Sequence, residues 1–279
     1  MMKIGIVGTG TMGSGIVQQF ATYHDVVLVG RRQVSIDKLM AMVEKNLNRS
    51  VEKGRLEEAK RDEILGRITT SLDRKDLKDA DVVVEAIPEV MEQKIELFSD
   101  LDEICDEKTI LCTNTSSLSI TEIAMATKRP EKVSGLHFFN PVPVMKLIEV
   151  ISGVATSKET EEMIVNLSKE IDKTPVIVKE APGFVVNRIL VPMINEAIGI
   201  YADGVASAED IDQAMKLGAN HPIGPLALGD MIGLDVCLNI MDVLYNEFND
   251  PKYRAHTLLR KMVRGNKLGR KTKEGFYTY

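Results

Sequence analysis

The stretch Lys3-Ile-Gly-Ile-Val-Gly8-Thr-Gly10-Thr-Met-Gly13-Ser-Gly-Ile16 decides the fold. An apolar run from Ile4 to Val7 leads straight into Gly8-x-Gly10-x-x-Gly13, and Met12, Ile16 and Phe20 then recur at helical spacing. That strand–turn–helix setting separates a dinucleotide fingerprint from a chance set of glycines. Gly8 permits the tight turn, Gly10 lets the backbone approach a pyrophosphate, and Gly13 lets helix and strand pack closely. The diphosphate is expected at the positive end of the first helix, among its unpaired N–H groups.

The next strand bears on which dinucleotide. Val26-Val-Leu-Val29 reads as a short buried strand, and an NAD site calls for an acidic residue at its tip, about 20 positions past the fingerprint, to hold the adenosine ribose. Here the strand ends Gly30-Arg31-Arg32-Gln33, with no acid. A small residue followed by arginines leaves room for a 2′-phosphate and offers it forked donors. The competing reading is that Arg31 and Arg32 are solvated loop charges. NADP is the expected cofactor and NAD the alternative.

The 279 residues suffice for one large or two modest domains with a substantial core. A net charge of -6 leaves no basic footprint for nucleic acid and no polybasic membrane patch. Cys105, Cys112 and Cys237 are odd in number and form no C-x-x-C spacing, which suits small core residues of a reducing compartment. The first strand opens at the second or third residue, so no leader peptide is expected, and no apolar stretch is long enough to span a bilayer. The sequon Asn114-Thr-Ser116 is idle without secretion. A cytoplasmic protein is expected.

Strand and helix patterns alternate through the first two thirds, with strands at Lys3–Gly8, Val26–Val29, Ile68–Ser71, Val82–Ala86, Thr109–Thr113 and Lys132–His137. The alternation predicts a parallel, doubly wound α/β sheet of Rossmann type. Between the second and third strands lies an inserted helical hairpin, Ile36–Glu52 and Leu56–Leu65, rich in Lys and Arg and joined at Lys53-Gly54. Strands at Lys146–Ser152 and Pro175–Val178 flank a helix near Ser157–Ile171, for which Thr156-x-x-Glu159 suggests a capping box. Ala181-Pro182-Gly183 breaks the pattern, and the rest reads as helices: Val185–Tyr201, Ala208–Lys216, Pro225–Phe248 and His256–Val263. A dinucleotide-binding domain over 1–183 and an all-α domain over 184–279 are expected.

His137 falls at the end of the sixth strand, where ligands of open parallel sheets bind, and histidine is suited to proton transfer near neutral pH. Beside two phenylalanines it also reads as a satisfied core group. Glu149 tips that balance, because in the apolar strand Leu147-Ile148-Glu149-Val150 a buried carboxylate costs several kcal/mol unless paired. If the two strands are neighbours, Glu149 can hold one ring nitrogen and leave the other toward a substrate. Asn114-Thr115-Ser116-Ser117 follows the fifth strand and can orient a substrate oxygen or the nicotinamide ribose, while Ser117 or Ser119 suits a helix N-cap. Asn187 is a polar residue in an otherwise apolar helix start. His24, His221 and His256 lack a matching carboxylate and read as structural. No metal-ligand cluster stands out.

Together these segments resemble the 3-hydroxyacyl-CoA dehydrogenases over essentially the whole chain. The resemblance rests on Gly8-Thr-Gly-Thr-Met-Gly-Ser-Gly15, Glu85-Ala-Ile-Pro-Glu89, Asn114-Thr-Ser-Ser-Leu118, His137-Phe-Phe-Asn-Pro141, Ala181-Pro-Gly-Phe-Val-Val-Asn-Arg188, Asn220-His-Pro-Ile-Gly-Pro225 and Gly269-Arg-Lys. It implies reversible hydride transfer between C3 of a short 3-hydroxyacyl thioester and a nicotinamide. By it His137 is the general base, Glu149 orients it, Ser116 and Asn187 position the substrate, and Asn140 backs the site. It implies cofactor contacts from Thr11, Met12, Ala86, Glu89 and Lys94, and places Arg49 and Lys53 near the CoA phosphates. It further implies a homo-oligomer through the helical domain. Gly30 departs from the family's usual acidic residue, so its common NAD preference does not carry over. Two other readings are a β-hydroxyacid dehydrogenase, which would use a lysine of the second domain, and a lens-type structural protein that binds nucleotide without turnover.

Overall fold

A computed structural model describes all residues, Met1 to Tyr279. The chain divides into two compact units, Met1–Glu180 and Ala181–Tyr279, just ahead of the Gly183 break. Strands of the first unit are β1 (Lys3–Val7), β2 (Asp25–Val29), β3 (Ile68–Ser71), β4 (Val82–Glu85), β5 (Ile110–Thr113), β6 (Val133–Phe138), β7 (Leu147–Ser152) and β8 (Thr174–Lys179). They form one sheet in the order β3-β2-β1-β4-β5-β6-β7-β8. Its helices are α1 (Thr11–Ala21), α2 (Gln33–Glu52), α3 (Glu58–Gly66), α4 (Met91–Ile104), α5 (Ile120–Ala124) and α6 (Lys158–Glu170). This is the expected Rossmann-type sheet. Strand order reverses between β1 and β4, the crevice where such sheets take their ligands.

Burial on both faces explains why the inner strands β1, β2, β4 and β5 are largely apolar runs rather than alternating patterns, whereas the edge strands β3 and β8 are largely exposed. Ile4, Ile6, Val82 and Val84 pack with Ile16 and Phe20 of α1 and with Ile36, Leu39, Val43 and Leu47 of α2. The last four recur at helical spacing, so α2 is held by one apolar stripe while its other faces stay polar.

Four expectations need correction. The sheet is not wholly parallel: β7 runs antiparallel to β6. Only residues 139–146 join those strands, and a parallel crossover needs about a dozen residues or more. The cap of α6 is Ser157, whose hydroxyl accepts from Thr160 N, while Thr156 Oγ1 donates to the Val133 carbonyl. α2 begins at Gln33, so Arg32 is its N-cap residue. Finally, the stretch Pro225–Phe248 is two helices, because Gly233 adopts φ 106° between them.

The second unit is all-α, with α7 (Val186–Ala202), α8 (Ala208–Gly218), α9 (Pro225–Ile232), α10 (Leu234–Phe248) and α11 (Thr257–Arg264). Val191, Ile194 and Ile198 of α7 pack with Leu226, Leu234, Met241, Leu244 and Leu259. Buried Asp212 accepts from the first N–H groups of α9 at Leu226 and Ala227 (2.8 and 2.9 Å) and from the Tyr277 hydroxyl. No helix is long and apolar enough to cross a membrane.

Candidate active site

The glycine turn is shaped by crowding as well as by conformation. Gly8 has φ 135°, and a β-carbon there would stand 2.3 Å from the Ala86 carbonyl oxygen. One on Gly13 would stand 2.3 Å from the Gly8 carbonyl oxygen, whereas Gly10 meets nothing within 4 Å. Gly8 and Gly13 therefore bring strand, loop and helix together, and Gly10 leaves an open approach to the N-terminus of α1. Thr11 and Met12 form the first turn there, and that turn carries no acidic residue. An open, positively polarised helix end fits a dinucleotide pyrophosphate.

At the next strand ends lies a polar network. Glu85 is fully buried; its Oε1 accepts from Lys94 Nζ (2.6 Å) and Ile87 N (2.7 Å), and its Oε2 from Thr113 Oγ1 (2.6 Å). Lys94, 1 % exposed, also faces Glu89 at 3.4 Å. Glu89 Oε1 in turn accepts from Thr115 Oγ1 (2.6 Å) and from Ser116 N and Oγ (2.8 and 3.1 Å). Loss of solvent around this carboxylate opposes its charge, but Lys94 and the Thr115 and Ser116 donors outweigh that and hold it below the usual range. Lys94 is thus spent on two carboxylates, and Glu89 is the member of the pair that reaches the surface. The sequence motif contained Glu85 without assigning it a role; its signal is a carboxylate closing the apolar run Val82-Val83-Val84.

Asn114 ties three strand ends together. Its N–H donates to the Glu85 carbonyl and its Oδ1 accepts from Phe138 N, both at 2.9 Å. One residue before Phe138, His137 stands directly opposite Glu149 in the β6/β7 register. His137 Nδ1 lies 2.8 Å from Glu149 Oε2, with the residues 6 % and 1 % exposed. The Phe139 ring sits 4.5 Å from the imidazole, centroid to centroid. Asn140 is exposed just beyond and precedes a cis bond to Pro141. A carboxylate at Nδ1 orients the ring and leaves Nε2 as the other ring nitrogen, a geometry able to move a proton.

The first unit thus gathers the glycine turn, Ala86, Glu89, Asn114, Ser116 and His137 at the carboxyl ends of β1, β4, β5 and β6, with Glu149 of β7 opposite His137. Arg31 and Arg32 are exposed between Gly30 at the tip of β2 and the start of α2. Arg49 and Lys53 are exposed one helical turn apart at the end of α2. Asn187 lies in the first turn of α7, in the second unit. Among the other histidines, His256 caps α11 by accepting from Leu258 N (3.2 Å), and burial pushes the buried His24 below its ordinary value. No group of His, Cys, Asp and Glu side chains is arranged to hold a metal ion.

Residues 3–181 match the family model of the 3-hydroxyacyl-CoA dehydrogenase NAD binding domain, and residues 183–279 that of the 3-hydroxyacyl-CoA dehydrogenase C-terminal domain. This chain belongs to the 3-hydroxyacyl-CoA dehydrogenase family. It is 64% identical over 279 residues to a 3-hydroxybutyryl-CoA dehydrogenase of Clostridioides difficile, covering 100% of this chain and 99% of that one. It is 46% identical to the mitochondrial hydroxyacyl-coenzyme A dehydrogenase of Homo sapiens, over 98% of this chain and 90% of the human one. The crystal structure of (S)-3-hydroxybutyryl-CoA dehydrogenase from Ralstonia eutropha superposes with a TM-score of 0.97 at 50% identity, covering 100% and 99% of the two chains. As a 3-hydroxyacyl-CoA dehydrogenase family member, the protein is an oxidoreductase whose first unit takes a nicotinamide dinucleotide.

Proposed function

We propose that this enzyme interconverts (S)-3-hydroxybutyryl-CoA and acetoacetyl-CoA, with His137 as the acid–base group. The observation that carries the reading is the His137–Glu149 pair at 2.8 Å, facing the dinucleotide end of the sheet. When bound, the nicotinamide supplies the hydride chemistry at C3. His137 takes the C3 hydroxyl proton through Nε2 as the carbonyl forms, and returns it in the reverse direction. Glu149 compensates the imidazolium charge while that proton is held. Ser116 and Asn187 orient the reacting oxygens, and Asn140 backs them. Gly8, Gly10, Thr11, Met12, Gly13 and Ala86 cradle the pyrophosphate, while Glu89, held by Lys94, and Asn114 stand on the nicotinamide side. The paired histidine favours this chemistry over a lysine-based β-hydroxyacid dehydrogenase and over a structural protein without turnover.

The preferred cofactor is NADPH. Gly30 removes the carboxylate that would grip the ribose diol and repel a 2′-phosphate, and the exposed Arg31 and Arg32 supply charge-assisted donors, each bond worth about 1.5–3 kcal/mol. Arg49 and Lys53 take the CoA phosphates. The family resemblance and the exposed apolar side chains of the second unit, Ile189, Val205, Leu217 and Met231, support a homo-oligomer through that unit. Three buried free cysteines suit a reducing cytoplasm, since burial pushes every thiol upward, that of Cys105 to about 11. Steady-state rates with acetoacetyl-CoA and longer 3-oxoacyl-CoA analogues, run with NADPH and NADH in parallel, test the reading. kcat/KM is expected to favour NADPH by about tenfold or more. A native enzyme that works better with NADH at low salt makes the arginines loop charges.

A further inference from the structure

Gly30, at the tip of β2, is a glycine that its own backbone does not require. It is buried, and its φ lies outside the left-handed region that favours glycine. Space excludes a side chain there instead. A β-carbon built on Gly30 would stand 2.8 Å from Thr9 Cγ2 and 2.7 and 3.1 Å from Ile36 Cγ1 and Cδ1. Neither neighbour gives way freely. Thr9 is strung between Gly8, whose N–H donates to the Val29 carbonyl (3.3 Å), and Gly10, whose carbonyl accepts from Ser14 N (3.0 Å). Ile36 is 1 % exposed in the core shared by α1, α2 and the sheet. Both side chains are β-branched and have few alternative rotamers.

We infer that Thr9 and Ile36 determine dinucleotide specificity by filling the volume at the tip of β2, so that no carboxylate can stand where the adenosine ribose is read. The inference deepens the NADPH reading and rests on it. One residue arrives from the phosphate turn and the other from the start of α2, so the exclusion is built into two elements at once. With that volume closed to an acid, nothing at the β2 tip repels a 2′-phosphate from Arg31 and Arg32. It follows that changing Gly30 alone does not convert the enzyme: a carboxylate there must displace Thr9 or Ile36, and the glycine turn moves with Thr9.

The test separates packing from cofactor choice. Gly30→Ala is expected to lower Tm by about 5 °C in the native background, and by less than half as much once Thr9→Ala and Ile36→Ala have made room. The single Thr9→Ala background gives the same comparison should the Ile36 change prevent folding. Kd values for NADPH and NADH are then measured by titration. Gly30→Asp alone is expected to weaken both, whereas Gly30→Asp with Thr9→Ala and Ile36→Ala binds NADH at least tenfold more tightly than Gly30→Asp alone. Additive thermal losses, or Gly30→Asp alone gaining NADH affinity at an unchanged Tm, overturn the role of Thr9 and Ile36 while leaving an NADPH-preferring wild type intact. A wild type that binds NADH more tightly overturns the NADPH reading beneath it.

Discussion

A carboxylate that ends or interrupts an apolar strand is costly to bury unpaired. The chain meets that cost twice, pairing Glu149 with His137 and Glu85 with Lys94. Glu85→Gln would leave the buried Lys94 ammonium with only Glu89 at 3.4 Å. Breaking a buried pair from one side costs about 3 kcal/mol or more, so urea unfolding of this variant is expected to show at least that loss. A variant as stable as the native protein contradicts the role given to Glu85. Glu149 was legible in the sequence because one apolar strand holds it and one nearby strand end holds a histidine. Glu85 carries the same signal, but its partners Ile87, Lys94 and Thr113 come from a loop, a helix and another strand. No local pattern names them. Thr9 was hidden for a similar reason, since its contact with a missing β-carbon exists only once the β2 tip meets the glycine turn.

Element by element, the inner strands β1, β2, β4 and β5 were readable because double burial writes them as largely apolar runs. The reversal at β7 was not read from the pattern, which marks strands without marking their direction. The short link between β6 and β7 does carry that information. That link is held by Lys173, 6 % exposed, whose Nζ donates to the carbonyls of Val142 (2.6 Å) and Met145 (2.9 Å). Burial pushes its ammonium down to about 8, against about 10.4 in an unfolded chain. Between those values the unfolded state binds more protons, so stability rises with pH across the window. Relative to Lys173→Met, the native protein is expected to gain unfolding free energy from about pH 8 to pH 10; a constant difference contradicts this. The α2–α3 hairpin makes a separate prediction. Arg49→Ala and Lys53→Ala are expected to raise KM for the CoA thioester and to change that for a short CoA-free thioester very little. Because such contacts are exposed and screened, the native KM should also rise with salt. Equal effects on both substrate types would assign the hairpin another task.

At the scale of the whole molecule, division of labour follows from composition. The first unit holds the glycine turn, Glu85 and His137 at the carboxyl ends of β1, β4 and β6, with their buried partners Lys94 on α4 and Glu149 on β7. The second has a helical core closed around Leu234, Met241 and Leu244, with Asn187 in the first turn of α7. Its helix count was misread at Gly233 because an apolar pattern runs through the break, and only the backbone angle ends the helix. Proposed turnover requires a proton to move through His137 while hydride moves at C3. The direct measurement is acetoacetyl-CoA-dependent oxidation of NADPH by the native protein and by purified, folded His137→Gln, with cofactor Kd measured on both. The native protein is expected to turn over, and the variant to bind NADPH normally with kcat lower by roughly 10²–10⁴-fold. Native-like turnover in the variant, or none in the native protein, contradicts the account.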